Sequence, residues 1–222
     1  MPISVHALAH RPLTAGVVAE LVALPTVPAL DTDDAMAAEM QRRGWSWEHE
    51  LVCDSVRTGY GHILCTDGYD PFGRPDARRF LVFGELYPVD PEDCSMTNGP
   101  WLYEVMDDWQ QLPGWSGRRA CTDQECEAVL TQAAQAVTEQ LGSGPERTLL
   151  SSAAVVTGPL LTHRIWRTPT HAVILGPAAD NGPYAYLTHL QLSVTPLDCA
   201  PALPPAEDAD GLTAWISAHV DW

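Results

Sequence analysis

Hydrophobic and polar positions along the chain change period several times. Val17, Val18, Leu21 and Leu24 fall on one stripe, which predicts a helix from Thr14 to Leu24 that Pro25 stops. A Pro-containing linker, TVPAL, leads to a second helix starting near Asp31 or Thr32. Either residue can cap it, and Asp33 and Asp34 sit at the positive end of its dipole. Arg42 and Arg43 occupy its last turn, and Gly44 fits the left-handed C′ position. The period then falls to two. WSWEHELVC sets Trp45, Trp47, His49, Leu51 and Cys53 on one face, with Glu48, Glu50 and Asp54 on the other. RTGYG reads as a turn and HILCT as the returning strand. A turn centred on Gly59 places Cys53 opposite Cys65 as buried, reduced thiols. RRFLVFGELY is a third strand and completes an antiparallel meander.

The order then recurs. NGPWLYEVMDDWQQLPG predicts a helix with Pro100 in its first turn and Trp101, Leu102, Val105, Trp109 and Leu112 inward. In the next helix Thr122 and Glu125 form a capping box, Cys126, Val129, Leu130, Ala133, Val137 and Leu141 form the stripe, and Gly142 ends it. A strand is expected near 148–156, and a hairpin over 160–176 turns at Thr168-Pro169-Thr170. A strand over 184–194 has Tyr186, Thr188, Leu190, Leu192 and Val194 on one face and His189, Gln191 and Ser193 on a polar face. A Pro-rich linker precedes a last helix whose apolar face is Leu212, Trp215, Ile216, His219 and Val220. The fold class is therefore α+β, with antiparallel sheet and helices packed mainly on one face. Residues 1–95 and 96–222 share an element order and suggest pseudo-duplicated halves within one compact domain. They share no evident sequence identity. The chain lacks βαβ alternation and a glycine-rich strand-to-helix turn, so a dinucleotide or P-loop site is not expected.

Composition narrows the function. The 222 residues carry 29 acids against 12 basic groups, a net charge of -17, which argues against nucleic-acid binding through a basic face. All 12 basic residues are Arg, Asn occurs only at 98 and 181, and Ala, Pro and Gly abound. That is the residue usage of a GC-rich bacterial genome, so the acidity has a background reading as well as a functional one. It is uneven: residues 31–127 hold 20 acids and 8 Arg, whereas residues 148–206 hold 2 of each. The N-terminal sequence lacks a basic region followed by an apolar one, and no apolar run approaches membrane-spanning length, so a cytoplasmic location with reduced thiols is expected.

Candidate chemistry is sparse. Cys121 and Cys126 fall at the two positions of a hydrophobic staple around Thr122, a simpler reading than a reactive thiol pair. WEHEL lacks the second His of a zinc helix, because Cys53 stands at that position. His163, His171 and His189 lie on neighbouring strands and are expected to face solvent or a turn. Asp67, Asp70 and Asp76 do not have calcium-loop spacing. No cofactor and no metal are expected. The favoured function is a non-enzymatic protein-binding protein of immunity, antitoxin, chaperone or adaptor type, whose acidic face docks a basic protein partner. Its contact residues are expected among Trp115, taken as exposed in the loop PGWSG, and Asp107, Asp108, Asp90, Glu92 and Asp93. The alternative is an enzyme with a cleft site of Cys, His or carboxylate groups.

Overall fold

The computed structural model describes residues 5–24, 30, 32–48, 55–66, 72, 76–89, 107–151, 160–179, 188–197 and 202–220. The predictions for His49, Cys53, Asp67, Asp70, Pro100, Trp101, Leu102, Val105 and Tyr186, and the candidate contacts Asp90, Glu92 and Asp93, lie outside the described residues.

Four helices of eight or more residues are described: α1 (Ala15–Ala23), α2 (Asp33–Arg43), α3 (Asp123–Leu141) and α4 (Ala209–Val220). Local side-chain chemistry sets their ends. Thr14, Thr32 and Thr122 each accept a backbone N–H of the first turn. At α3 the Glu125 side chain answers back to the Thr122 N–H at 2.8 Å, which completes the capping box. Gly44 and Gly142 end α2 and α3 at φ 69° and 71°, a conformation that costs glycine little.

Ten strands form an antiparallel sheet: β1 (Val5–His10), β2 (Ser46–Glu48), β3 (Ser55–Arg57), β4 (Ile63–Thr66), β5 (Arg79–Val89), β6 (Ser116–Thr122), β7 (Arg147–Ser151), β8 (Leu161–Arg167), β9 (His171–Ala179) and β10 (Thr188–Pro196). The order is β2-β3-β4-β5-β10-β9-β8-β7, and β1 joins β5 to β6. Strand β5 organises the sheet. Along one side its Arg79–Val82 stretch pairs β4, and its Gly84–Val89 stretch pairs β1; along the other side it pairs β10. The β10 register slips between Leu190 and Gln191, where β5 carries the extra residue Phe83, a bulge at the point where β5 changes neighbour.

Two apolar clusters flank this sheet. Val17, Val18 and Leu21 of α1 and Cys126, Leu130 and Val137 of α3 pack with Leu64, Leu81, Leu192, Val194, Val173 and Trp166. Leu212 and Ile216 of α4 pack with Ile165, Ile174 and Ala178, the alternate positions of the same strands. A helix therefore lies against each face. His6 of β1 meets the Asp123 carboxylate at 2.6 Å and ties the branch strand to the start of α3.

Several expectations are corrected. β1 and β6 are strands that the hydrophobic pattern does not announce. The expected alternation breaks in β2: Trp45 before it is buried as expected, but Trp47 is 43% exposed and Glu48 is buried, with its carboxylate on Arg57, diagonal to it on β3. The register Val56↔Leu64 centres the β3–β4 turn on Tyr60, not Gly59, with the Gly61 N–H on the Thr58 carbonyl at 2.8 Å. Gly61 takes the left-handed position of that turn at φ 79°. Cys65 is a buried free thiol, and its expected partner Cys53 falls outside the described residues.

Candidate functional site

The expected contact residues do not form an exposed aromatic anchor. Trp115 is only 7% exposed. Its ring lies 4.4 Å from that of buried Trp109, and its Nε1–H donates to the Gly61 carbonyl at 3.0 Å. A buried indole needs a partner for its N–H, and the β3–β4 turn supplies one. Trp115 thus fastens the loop after the helical residues 107–111 onto that turn. Of the neighbouring acids, Asp108 is exposed and Asp107 half-buried.

The staple reading of the cysteines fits their surroundings. Cys121 and Cys126 are both buried. Burial pushes the Cys126 thiol up to about 12, with the Cys121 sulfur and the Asp123 and Glu125 carboxylates adding to it. Cys121 is raised by burial and by Glu125. Thiolate is the reactive form, so neither cysteine will label in the native protein at pH 8 with iodoacetamide, whereas both will label in urea. Peptide mass spectrometry reads this directly, and native labelling at either position overturns it.

The chemically densest place is inside the sheet. Strand β10 reads THLQLSVTP, and its alternation does divide Leu190, Leu192 and Val194 from His189, Gln191, Ser193 and Thr195. The polar set does not face solvent; every residue of β10 is buried. Opposite residues of a paired register share a face. His189 therefore faces Glu85 of β5, and the carboxylate and imidazole are in direct contact at 0% and 1% exposure. Their cross-strand row runs Gly117, Ala9, Glu85, His189, Ala178, so small residues flank the pair on both sides. Gln191 donates to the Ser193 hydroxyl at 3.0 Å. His163 stands in the next row, across from Gly176, and donates its Nε2–H to the Pro177 carbonyl at 2.7 Å. A Cβ on Gly176 would lie 2.2 Å from the His163 ring, so glycine is what lets this imidazole lie flat on the sheet.

The expectation of solvent-facing or turn histidines fails for His163 and His189, which are buried within strands, whereas His171, also buried, stands at the turn that Thr168 closes on it. The cause is the second face of the sheet, which is covered as well as the first. The β9–β10 register puts His171 on the face opposite to His189. A carboxylate held against an imidazole is an arrangement that can orient a general base. At zero exposure the Glu85–His189 pair offers no path for a substrate in this conformation, and the arrangement acts first as a buried polar link between β5 and β10. Glu85 had a sequence signal that went unread: it is a lone acid inside the apolar run FLVFGELY.

Burial controls two further imidazoles. His62 and His163 are each pulled down to about 4, by burial first, with Arg11 beside His62 and Arg164 beside His163 acting in the same direction. Both are neutral in the fold. Their stabilising effect is complete above the ordinary histidine pKa of about 6.5 and is lost as pH falls toward 4, because the unfolded chain takes up the proton first. Each contributes an acid loss of roughly 3 kcal/mol between these limits. In His163→Gln, urea midpoints measured from pH 7 to pH 4.5 will fall less steeply than in the parent. Identical slopes would remove the assignment.

Each arginine with a described side chain has an intramolecular acceptor. Arg42 and Arg43 bind Glu39; Arg57, Arg118, Arg164 and Arg167 bind Glu48, Glu125, Glu127 and Glu146. Arg11, Arg78, Arg79 and Arg147 donate to the backbone carbonyls of Pro113, Ala218, Phe72 and Pro204. Asp33, Asp34, Asp108, Glu139, Glu207 and Asp210 are exposed.

Among the described residues, no group of three His, Cys, Asp or Glu side chains could hold a metal ion, and no helix is long and apolar enough to cross a membrane. Comparison of the chain with protein-family models, curated proteins and solved structures finds no match.

Proposed function

We propose that this chain is a non-enzymatic, cytoplasmic protein-binding protein of the immunity, antitoxin, chaperone or adaptor kind, which docks a basic protein partner through its carboxylates. The observation that carries this reading is the engagement of the arginines. Among the described arginines, Arg42, Arg43, Arg57, Arg118, Arg164 and Arg167 sit on carboxylates and the others on neutral carbonyls, so ion pairing offsets few of the 29 acids and the net charge of -17 remains to act on a partner. Such a field speeds encounter with a basic partner and disfavours acidic ones. Asp107 and Asp108 of the expected set fall within the described residues, and exposed Asp33 and Asp34 of α2 are added to them as proposed contacts. Asp90, Glu92 and Asp93 remain in the proposed set on sequence grounds. Trp115 belongs to it only as an internal support.

The test is capture of a partner from native lysate, its identification, and titration of the purified pair over a range of salt. Affinity should fall as salt rises and should fall again when Asp33, Asp34, Asp107 and Asp108 are changed to Asn. A salt-independent complex, or one indifferent to these four changes, rules the reading out.

The second reading, an enzyme with a cleft site of Cys, His or carboxylate groups, has in Glu85–His189 a carboxylate-held imidazole as its candidate base, and it requires a conformation that opens this buried pair to a substrate. Its mark is an activity abolished by His189→Gln in a protein that keeps its thermal midpoint. Loss of activity only in parallel with loss of fold counts against it.

A further inference from the structure

Three connections of the chain meet at one arginine. Arg11 follows β1, and its guanidinium donates to the Pro113 carbonyl. That guanidinium lies between two glycines. A Cβ on Gly114 would overlap its Nη1, and one on Gly61 would stand 2.9 Å from its Cζ. Gly61 also accepts from the Trp115 Nε1–H at 3.0 Å. Residues 109–115, WQQLPGW, are thus held to the β3–β4 turn by the Trp115 indole and by Arg11, which reaches from one to the other.

His62, the residue after Gly61, is 1% exposed. The turn places it: the Thr58 N–H donates to the His62 carbonyl at 2.8 Å, and the His62 N–H to the Thr58 hydroxyl at 3.2 Å. Arg11 is the charge that acts on this imidazole, and it opposes a proton there; the carbonyls of Pro12 and Arg11 favour one, with a smaller effect. The other elements packed on the turn bring little to balance it. In α1, whose Gly16 lies under Tyr60, the one charged residue is Glu20, which sits 3.5 Å from Arg43. The end of α2, where the Arg43 carbonyl meets Gly59, offers Arg42 and Arg43, both on Glu39. Residues 109–115 carry no charge, and the turn itself adds the exposed Tyr60.

A proton on His62 therefore sets two positive charges side by side away from water, and among the described residues no carboxylate acts on the ring. Arg11 is the one able to yield, because it is half-buried and recovers its hydration by moving outward. We infer that residues 107–115 form an acid-released latch: proton uptake by His62 drives the Arg11 guanidinium from between Gly61 and Gly114, and the segment that starts with Asp107 and Asp108 comes away from the β3–β4 turn. The closed ring holds its proton only near pH 4, and the opened, hydrated ring at the ordinary value of about 6.5. The latch is closed at neutral pH and loosens as pH falls through that window. Its effect on partner docking rests on the reading of Asp107 and Asp108 as contacts.

Hydrogen exchange on the full chain, read by peptide mass spectrometry from pH 7 to pH 4.5 and corrected for the intrinsic rate, tests the latch with no partner present. Its failure therefore leaves the docking reading standing, and the reverse holds too. Residues 107–116 should exchange faster than α3 at each pH, and their protection should fall by about 50–100-fold over this range. His62→Gln should remove that fall, whereas His163→Gln should keep it. Arg11→Gln should open the segment already at pH 7, which carries the test should His62→Gln fail to fold. Exchange of the segment and α3 at one common rate overturns the inference. So does a fall kept in His62→Gln, no fall in the parent, or protection unchanged by Arg11→Gln.

Discussion

Replacing His189 with Leu while Glu85 is retained will lower the stability of the fold by about 3–5 kcal/mol, and Glu85→Leu alone will do the same, because each leaves the other member of a fully buried carboxylate–imidazole contact without its partner in that contact. The double variant Glu85→Leu/His189→Leu will lose markedly less than the two single losses added together. Two apolar side chains of suitable size fill the space between Ala9 and Ala178 without burying an ionisable group, and the residues directly beside them in the row are small. Urea unfolding of the four proteins gives the coupling. A value of 1 kcal/mol or more, typical of groups in contact, is the order expected. Strict additivity means that the two side chains do not meet in solution, and both the buried link and the enzyme reading that depends on it fall together.

Trp166→Ala comes next in size, with an expected loss of about 3–5 kcal/mol. Trp166 is fully buried on the α3 side of β8, opposite Val173, and its Nε1–H donates to the Ser143 carbonyl at 3.1 Å, just past the end of α3. It joins two events that are separate in the chain, the stop of a helix and the return of a hairpin. Trp166→Phe keeps most of the apolar contact and gives up the hydrogen bond, which is worth about 1 kcal/mol. The ratio of the two losses, taken from denaturant midpoints, separates packing from polar attachment. Equal losses would place the importance of Trp166 in its N–H.

What the sequence made readable was local. Thr32 with Gly44, and the Thr122–Glu125 box with Gly142, fix helix ends through contacts of three or four residues, and α2 and α3 stand where those signals put them. The turn at Thr168–Thr170 was readable for the same reason, since Thr168 closes it on His171 within three residues. The β1 and β6 strands were not readable, because their membership depends on pairing with each other and with β5 from far along the chain. In β2 the parity that Trp45 keeps is broken at Trp47 and Glu48, where the acid is buried on Arg57 and the indole is exposed.

The candidate site was less legible than the fold. The β10 alternation correctly separated two faces, but period two says nothing about whether the polar one is wet. Only the covering of both faces decides that, and it comes from elements distant in sequence. Glu85 and His189 lie far apart in the chain and become neighbours through the pairing of β5 with β10. Trp115 misled for the converse reason: glycine and proline around an aromatic suggest a tip, whereas this loop folds back onto Gly61.

The placement of β10 also bears on how the polypeptide is made. It is the last of the described strands in sequence, yet it lies between β9, which directly precedes it, and β5, synthesised far earlier. Until residue 196 has emerged, the long side of β5 and the outer side of β9 are unsatisfied, and the nascent chain holds two incomplete sheets in place of one. The described sheet is therefore completed only after residue 196, a late zippering between an early and a late segment that slows the reaction and exposes apolar strand edges meanwhile.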